Sequence, residues 1–284
     1  MSALYVVATP IGNLGDISFR AIETLKKADI IAAEDTRQTQ KLLNHYDIHT
    51  KLVSYHKFNE QSRGEELINA MLKQDLTVAL VSDAGTPAVS DPGAVLVKYA
   101  IKNNVPVYSV PGASAVTASV SMSGFANTEF AFYGFPPRKK NEIVRFLKDI
   151  PNRNHTAIFY ESPYRIKNLL EIIKEIYPHF ECAVFSDITK LFEKSFYGSA
   201  ESILKELLLD SKAEKGEYVL LLNFKELKQQ EDSEGNLSLE ALLVDEMLKN
   251  DQNRKEAINS LAAKGYSKNA LYDAALNLKN IFSL

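Results

Sequence analysis

The chain of 284 residues contains one cysteine, Cys182. A single thiol forms no intrachain disulfide and assembles no cysteine zinc cluster. Histidine is nearly as scarce. Of five, only His45 and His49 stand four apart, and Tyr46-Asp47-Ile48 between them reads as a turn after a helix, so no metal site is expected. Long apolar runs are missing as well: residues 4–8 and 218–222 fall far short of the ~20 residues that a bilayer span needs. The opening residues show no charged segment leading into a hydrophobic stretch and a small-residue cleavage site. A soluble, cytoplasmic protein with no membrane partner is expected. Neither charge is in excess: 33 Lys plus Arg stand against 36 Asp plus Glu, a formal net charge of −3. That balance argues against a chain that coats nucleic acid non-specifically, while leaving room for a local basic patch. What is present suits a globular chain. Hydrophobic residues make up 45%, enough apolar surface to offset the ordering entropy and exclude an intrinsically disordered protein.

The length suggests about two domains. Residues 4–8 read as a buried strand, followed by a Pro/Gly/Asn-rich turn over 10–15. Ile17, Ala21, Ile22, Leu25 and Ala28 then recur at helical spacing. Strands near 29–33, 51–54, 76–81 and 106–110 alternate with helices near 36–44, 61–73 and 93–103, which predicts a parallel, doubly wound α/β sheet. After a helix near 114–122 a second cycle begins, with strands near 130–134, 156–160, 182–187, 193–198 and 218–222. Helices near 141–149, 163–176 and 200–209 separate them. Only about six residues part the third and fourth of these strands, too few for a parallel crossover, so this second sheet is expected to be mixed. The polar stretch 226–237 reads as a linker, and three helical patterns follow it. The expected organisation is an α/β domain over 1–113, a second over 114–225, the linker, and a helical module over 238–284.

Three loops of small residues follow strand ends: Thr9-Pro10-Ile11-Gly12-Asn13-Leu14-Gly15-Asp16, the long Ser82-Asp83-Ala84-Gly85-Thr86-Pro87-Ala88-Val89-Ser90-Asp91-Pro92-Gly93, and Pro111-Gly112-Ala113-Ser114-Ala115. In open parallel sheets ligands sit at the carboxyl ends of strands, where helix N-termini and unpaired amides converge. The second loop combines small residues with two specific polar groups, Asp83 and Thr86. Its bland reading is a long turn whose glycines supply positive φ; its length and strand-end position favour ligand binding. Gly12 and Gly15 give only G-x-x-G, short of a dinucleotide fingerprint, although Glu34 and Asp35 fall about 20 residues beyond, where a nicotinamide enzyme places its ribose-binding acid. Equally, Glu34-Asp35-Thr36-Arg37 reads as an ordinary helix start.

These residues resemble a known family. Thr9-Pro10-Ile11-Gly12-Asn13-Leu14, Ala32-Ala33-Glu34-Asp35-Thr36-Arg37, Ser82-Asp83-Ala84-Gly85-Thr86-Pro87 and Asp91-Pro92-Gly93 are similar to segments of the ribosomal RNA small subunit methyltransferase I family, within the tetrapyrrole methylases. So are Pro111-Gly112, Tyr133-Gly134-Phe135, Phe159-Tyr160-Glu161-Ser162, Thr189-Lys190, Lys215-Gly216-Glu217 and Ser267-Lys268-Asn269-Ala270-Leu271-Tyr272. The resemblance covers nearly the whole chain. It implies two α/β domains with S-adenosylmethionine between them, a homodimer, and methylation of a cytidine 2′-hydroxyl in the decoding region of 16S rRNA within the small ribosomal subunit. It implies cofactor contacts from Pro10, Gly12, Ser82, Asp83, Ala84, Gly85, Thr86, Ser114, Ala115, Tyr160 and Glu161. Two positions depart from the family pattern: Ser186-Asp187 stands where Arg-Glu is usual, and Tyr164 where His is common.

Methyl transfer from a sulfonium is an in-line displacement that needs no metal, and alignment supplies most of its acceleration. A ribose hydroxyl is a weak nucleophile until its proton leaves. A base, or a positive group beside the developing alkoxide, is therefore expected; Asp35, Asp83 and Lys190 are the candidates. RNA contact would come from Arg37, from Arg138-Lys139-Lys140 beside Phe135-Pro136-Pro137, from Arg165, and from Lys268 in the helical module. Two other readings stay open. One is a tetrapyrrole-precursor C-methyltransferase of the same fold. The other is a DNA-binding regulator, because residues 255–280 resemble a helix-turn-helix.

Overall fold

The computed structural model describes residues 2–125, 129–150, 156–224, 238–250, 252–263 and 265–282. The expected linker, 226–237, lies outside the described residues. The chain forms two compact units, Met1–Lys225 and Glu226–Leu284.

In the first unit, β1 (Ala3–Val7), β2 (Ile30–Ala33), β3 (Lys51–Ser54), β4 (Thr77–Val81) and β5 (Val107–Val110) form an all-parallel sheet in the order β3-β2-β4-β1-β5. β2 is buried at every residue, and β4 at all but its first. Helices cover both faces of the sheet, so the central strands are continuous apolar runs and show no alternation. On one face α1 (Phe19–Lys27) contributes Ala21 and Leu25, and α2 (Thr36–His45) contributes Leu43, to a core with Val7, Ile31, Ala79 and Val81. On the other, α3 (Glu60–Gln74) and α4 (Ala94–Lys102) bury Leu67, Ile68, Met71, Leu96 and Ala100 against Leu4, Val78 and Leu80. Caps fix where the helices of the first face begin. Ser18 Oγ accepts from Ala21 N at 3.1 Å, and Asp35 Oδ1 accepts from Arg37 N at 2.9 Å.

The order of the strands has a consequence for ligand binding. The chain leaving β1 turns to α1 on one face, whereas the chain leaving β4, its neighbour, turns to α4 on the other. A crevice opens between such diverging loops at the carboxyl edge. An isolated backbone bridge spans it, with Thr9 N donating to Gly85 O at 2.9 Å and Gly85 N to Thr9 O at 3.0 Å.

After α5 (Ala115–Met122) comes the second sheet, from β6 (Ala131–Phe132), β7 (Thr156–Glu161), β8 (Glu181–Ser186), β9 (Lys194–Ser199) and β10 (Tyr218–Asn223). Its order is β6-β7-β10-β8-β9; β6 pairs parallel to β7 and every other pairing is antiparallel. The mixed sheet is as expected, and the short β8–β9 connection is its antiparallel hairpin. One face packs on α5, through Val116 against Ile158, Ala183, Phe185 and Leu221. α6 (Lys140–Asp149), α7 (Ile166–Ile176) and α8 (Ala200–Leu209) complete this unit, with α7 burying Ile166, Leu169, Leu170, Ile172 and Ile173 along one stripe.

The second unit holds α9 (Leu239–Asn250), α10 (Arg254–Ala263) and α11 (Lys268–Phe282) around Leu243, Ala257, Ile258, Leu261, Leu271, Ala274 and Ala275. No helix among the described residues is long and apolar enough to cross a membrane.

Candidate active site

A cavity of about 340 Å³ opens in the first unit, where the carboxyl edge of the parallel sheet meets β7 and β10. Ala84, Gly85 and Thr86 line it from the loop after β4, and Ser114 and Ala115 from the start of α5. Tyr160, Glu161, Ser162 and Pro163 line it from the end of β7. The wall is completed by Ile11, Val89, Ser90, Asp91, Phe135, Ile188 and residues 216–219. The strand-end loops thus converge with a second set from the mixed sheet.

Gly85 has φ of +79°, a conformation that L side chains rarely adopt. A Cβ there would sit 3.4 Å from Ile11 Cγ2 and 3.7 Å from Ala113 O. Thr9 and Ser82 brace the same turn from beneath: Thr9 Oγ1 donates to Ser82 O at 3.2 Å, and Ser82 Oγ to Gly85 O at 3.3 Å. Ser82 is therefore a buried strut outside the cavity wall. Gly12 also lies off the wall. A Cβ on it would run into the Lys190 side chain, so this glycine admits the loop at 188–190. Pro10 does not line the cavity either, and exposed Asp83 accepts from Asp35 N at 2.9 Å. Of the expected cofactor residues, Ala84, Gly85, Thr86, Ser114, Ala115, Tyr160 and Glu161 are the ones brought together on the wall.

Glu161 has a fully buried side chain. Its Oε1 accepts from Ser162 N at 2.7 Å; its Oε2 lies 3.1 Å from Arg165 Nη2, in ion-pair range but without a hydrogen bond of good geometry. Burial raises this carboxyl above its ordinary value, against the Ser162 hydrogen bonds and the Arg165 charge. Burial likewise pushes the Tyr160 hydroxyl up to about 12, helped by the Asp91 charge.

The three catalytic candidates part company. Asp35 forks onto Arg37, with Oδ2 2.8 Å from Nη2, and those bonds hold its carboxyl down at about 2. A carboxylate that acidic is a weak base. Lys190 Nζ lies 2.9 Å from Asp187 Oδ1 and 3.0 Å from Glu217 Oε2. Burial disfavours the ammonium, but the two carboxylates outweigh it and raise the pKa. Lys190 is thus a held cation beside the wall residue Glu217, suited to facing developing negative charge and unsuited to removing a proton. Asp187, one of the departures from the family pattern, supplies half of that clamp. Gly216, at φ +89°, leaves room for it, since a Cβ there would overlap the Asp187 carboxylate.

Two acids stand out that are not among the catalytic candidates; in the sequence Glu34 reads only as a ribose-binding acid or part of a helix start. Asp91 lines the cavity, with its carboxyl raised to about 6 by burial and by the Asp83 charge, against a Ser82 hydrogen bond. Glu34 is raised to about 7 by burial and by the charges of Asp91 and Asp83. Both sit in the quoted motifs; nothing in their spacing revealed that the ends of β2 and β4 would press them together.

The basic residues also divide. Arg138 and Lys139 are exposed, Lys139 lying 3.2 Å from Glu142, while Lys140 Nζ pairs with Glu175 at 2.8 Å. Arg37 is exposed but carries Asp35 on its guanidinium. Arg165, expected on the RNA surface, turns inward: Nη2 donates to Pro136 O at 3.0 Å and to Pro137 O at 2.7 Å. It braces a loop and is not offered to phosphate. Lys268 begins α11 in the other unit and is exposed.

A family profile described as Tetrapyrrole (Corrin/Porphyrin) Methylases matches residues 3–204. Diphthine synthase is a similar solved structure, with a TM-score of 0.59 and 16% identity, covering 80% of this chain and 94% of that one. Uroporphyrin-III-C-methyltransferase from Thermus thermophilus has a TM-score of 0.53 and 18% identity, covering 80% and 97%. At such identity the likeness is one of fold. The profile match defines an S-adenosylmethionine-dependent methyltransferase of the tetrapyrrole methylase class. Ribosomal RNA small subunit methyltransferase I of Bacillus subtilis (strain 168) is 40% identical over 278 residues, covering 96% of this chain and 94% of that protein. Its namesake in Neisseria meningitidis serogroup A is 41% identical over 279 residues, covering 98% and 94%. Within the class, the chain belongs to the ribosomal RNA small subunit methyltransferase I family.

The cavity fits the methyl donor. Its volume falls in the roughly 300–1,000 Å³ range of small-molecule sites. Residues 84–86 and 114–115 line it with small side chains, and buried Glu161 Oε2 has acceptor capacity left over.

Proposed function

We propose that this protein methylates the ribose 2′-hydroxyl of a cytidine in the decoding region of 16S rRNA, acting on the small ribosomal subunit in the cytoplasm as a homodimer. The observation that carries the reading is the match at about 40% identity running through both sheets and the helical unit to relatives named for that rRNA. The tetrapyrrole C-methyltransferases share this fold at 15–18% identity, which supports no common substrate. We also place the boundary between two α/β domains at Ala113, between the parallel and the mixed sheet.

Residues 84–86, Ser114, Ala115, Tyr160 and Glu161 would hold S-adenosylmethionine, which supplies a methyl group activated on a sulfonium. The remaining work belongs to the chain. The wall excludes water and aligns the acceptor, the largest contribution to a displacement of this kind. Asp91 accepts the hydroxyl proton: it lines the cavity, and a carboxyl near 6 is close to what a base needs at neutral pH. Lys190, held by Asp187 and Glu217, faces the oxyanion that this proton loss creates.

Labelled methyl transfer to isolated 30S subunits, followed by nuclease mapping and nucleoside analysis, tests the reading. Label is expected on the ribose of one cytidine. Label on a base, or only on a tetrapyrrole precursor, would reject it.

A further inference from the structure

An aromatic side chain stands uncovered at the mouth of the cavity. Phe135 lines the wall yet is 59% exposed. A half-open ring on a cavity wall presents a face on which a planar group can stack. Its position is well fixed. It meets Tyr160 edge-on, with centroids 5.8 Å apart, and Tyr160 meets Phe132 in the same manner at 4.6 Å. Immediately behind it, Pro136 and Pro137 stiffen the chain, and both of their carbonyls are gripped by Arg165. Val89 is also on the wall and 42% exposed. The two loops touch, because a Cβ on Gly134 would come within 3.2 Å of Ser90 Oγ.

We infer that Phe135 is the stacking platform for the nucleobase of the acceptor nucleotide, with the Arg165-braced loop as its mount. The inference rests on the rRNA reading above and adds the subsite that receives the base. A ribose hydroxyl reaches a buried methyl group only if its nucleotide is splayed out of the RNA. Splayed bases are held by aromatic faces. An exposed ring at the mouth, with Tyr160 and the small-residue loops deeper in, suits the acceptor rather than the methyl donor. Arg138 and Lys139 follow within four residues on the exposed side of the same loop, where the flanking phosphates of a splayed strand would lie.

The test compares Phe135→Ala, Phe135→Leu and Phe135→Tyr by steady-state methyl transfer to 30S subunits and by calorimetry with S-adenosylmethionine alone. Loss of a base–aromatic stack should raise KM for 30S about tenfold in the Ala and Leu variants. The Tyr variant, which keeps the ring, should stay within about twofold of wild type, as should the cofactor Kd of all three. A cofactor Kd that rises in step with KM would assign the ring to the methyl donor and overturn the proposal. An unmoved KM with wild-type label on 30S would overturn it alone. Wild-type protein that leaves 30S unlabelled would overturn the rRNA reading, and the subsite with it.

Discussion

At the scale of single residues, the glycines of this chain do different things, and geometry separates them. Gly85 and Gly124 both hold positive φ, +79° and +72°. A Cβ on Gly124 would meet nothing within 4 Å, whereas one on Gly85 would sit against the wall residue Ile11, with Ala113 O also in contact range. Both substitutions to Val store backbone strain of about 1–3 kcal/mol, but only one adds methyl groups at the wall of the cavity proposed for the methyl donor. Gly85→Val is therefore expected to abolish S-adenosylmethionine binding in calorimetry, with the fold retained by circular dichroism. Gly124→Val should lower the melting temperature and leave binding alone. Equal loss of binding in both would mean that strain, not the occupied wall, is responsible. Gly85 was readable in the sequence as a small residue in a strand-end loop. Gly12, in an equally suggestive loop, admits the Lys190 side chain instead, a packing between segments some 180 positions apart that no local pattern encodes.

At the scale of elements, strand–helix alternation made both sheets legible, and the short gap before β9 made the second one mixed. The order β3-β2-β4-β1-β5 was not legible, because periodicity says which face a residue takes and not which strand lies beside it. That order brings the ends of β2 and β4 together and crowds Glu34, Asp83 and Asp91. The crowding has a measurable price in pH. Glu34 is raised to about 7 from its ordinary 4.5, so the folded chain binds more protons than the unfolded one across that interval. Stability from this group is fully present below about 4.5 and is lost as pH rises through 7. Melting temperature followed from pH 4.5 to 8 should thus decline through this window. Glu34→Gln should flatten the decline and stabilise the protein at pH 8 by about 1 kcal/mol, a partly solvated group retaining only part of its full shift. A variant whose profile matches wild type would place the cluster's strain elsewhere.

At the scale of the whole molecule, two units carry separate cores, and the charges of the helical one bear on what it contributes. Residues 238–284 hold six basic and six acidic side chains, so the three helices are neutral overall, though Lys268 was expected to contact RNA. Salt dependence separates gripping from docking. Each phosphate neutralised by a cation adds roughly −0.7 to −0.9 to the slope of log affinity against log salt, whereas contacts of shape and neutral hydrogen bonds add little. A chain ended at Lys225 keeps both sheets and every residue of the cavity wall, and should bind S-adenosylmethionine as the full chain does. Its affinity for 30S subunits should fall, while the salt slope stays that of the full chain. Arg138→Ala with Lys139→Ala, on the loop beside Phe135, should do the reverse in kind and flatten the slope by about 1.5. Filter binding of the three proteins across 50–300 mM salt measures both quantities. A slope that drops on removal of the helical unit would make that unit a phosphate clamp despite its neutrality, with its cations concentrated on one face and its acids turned away from the RNA.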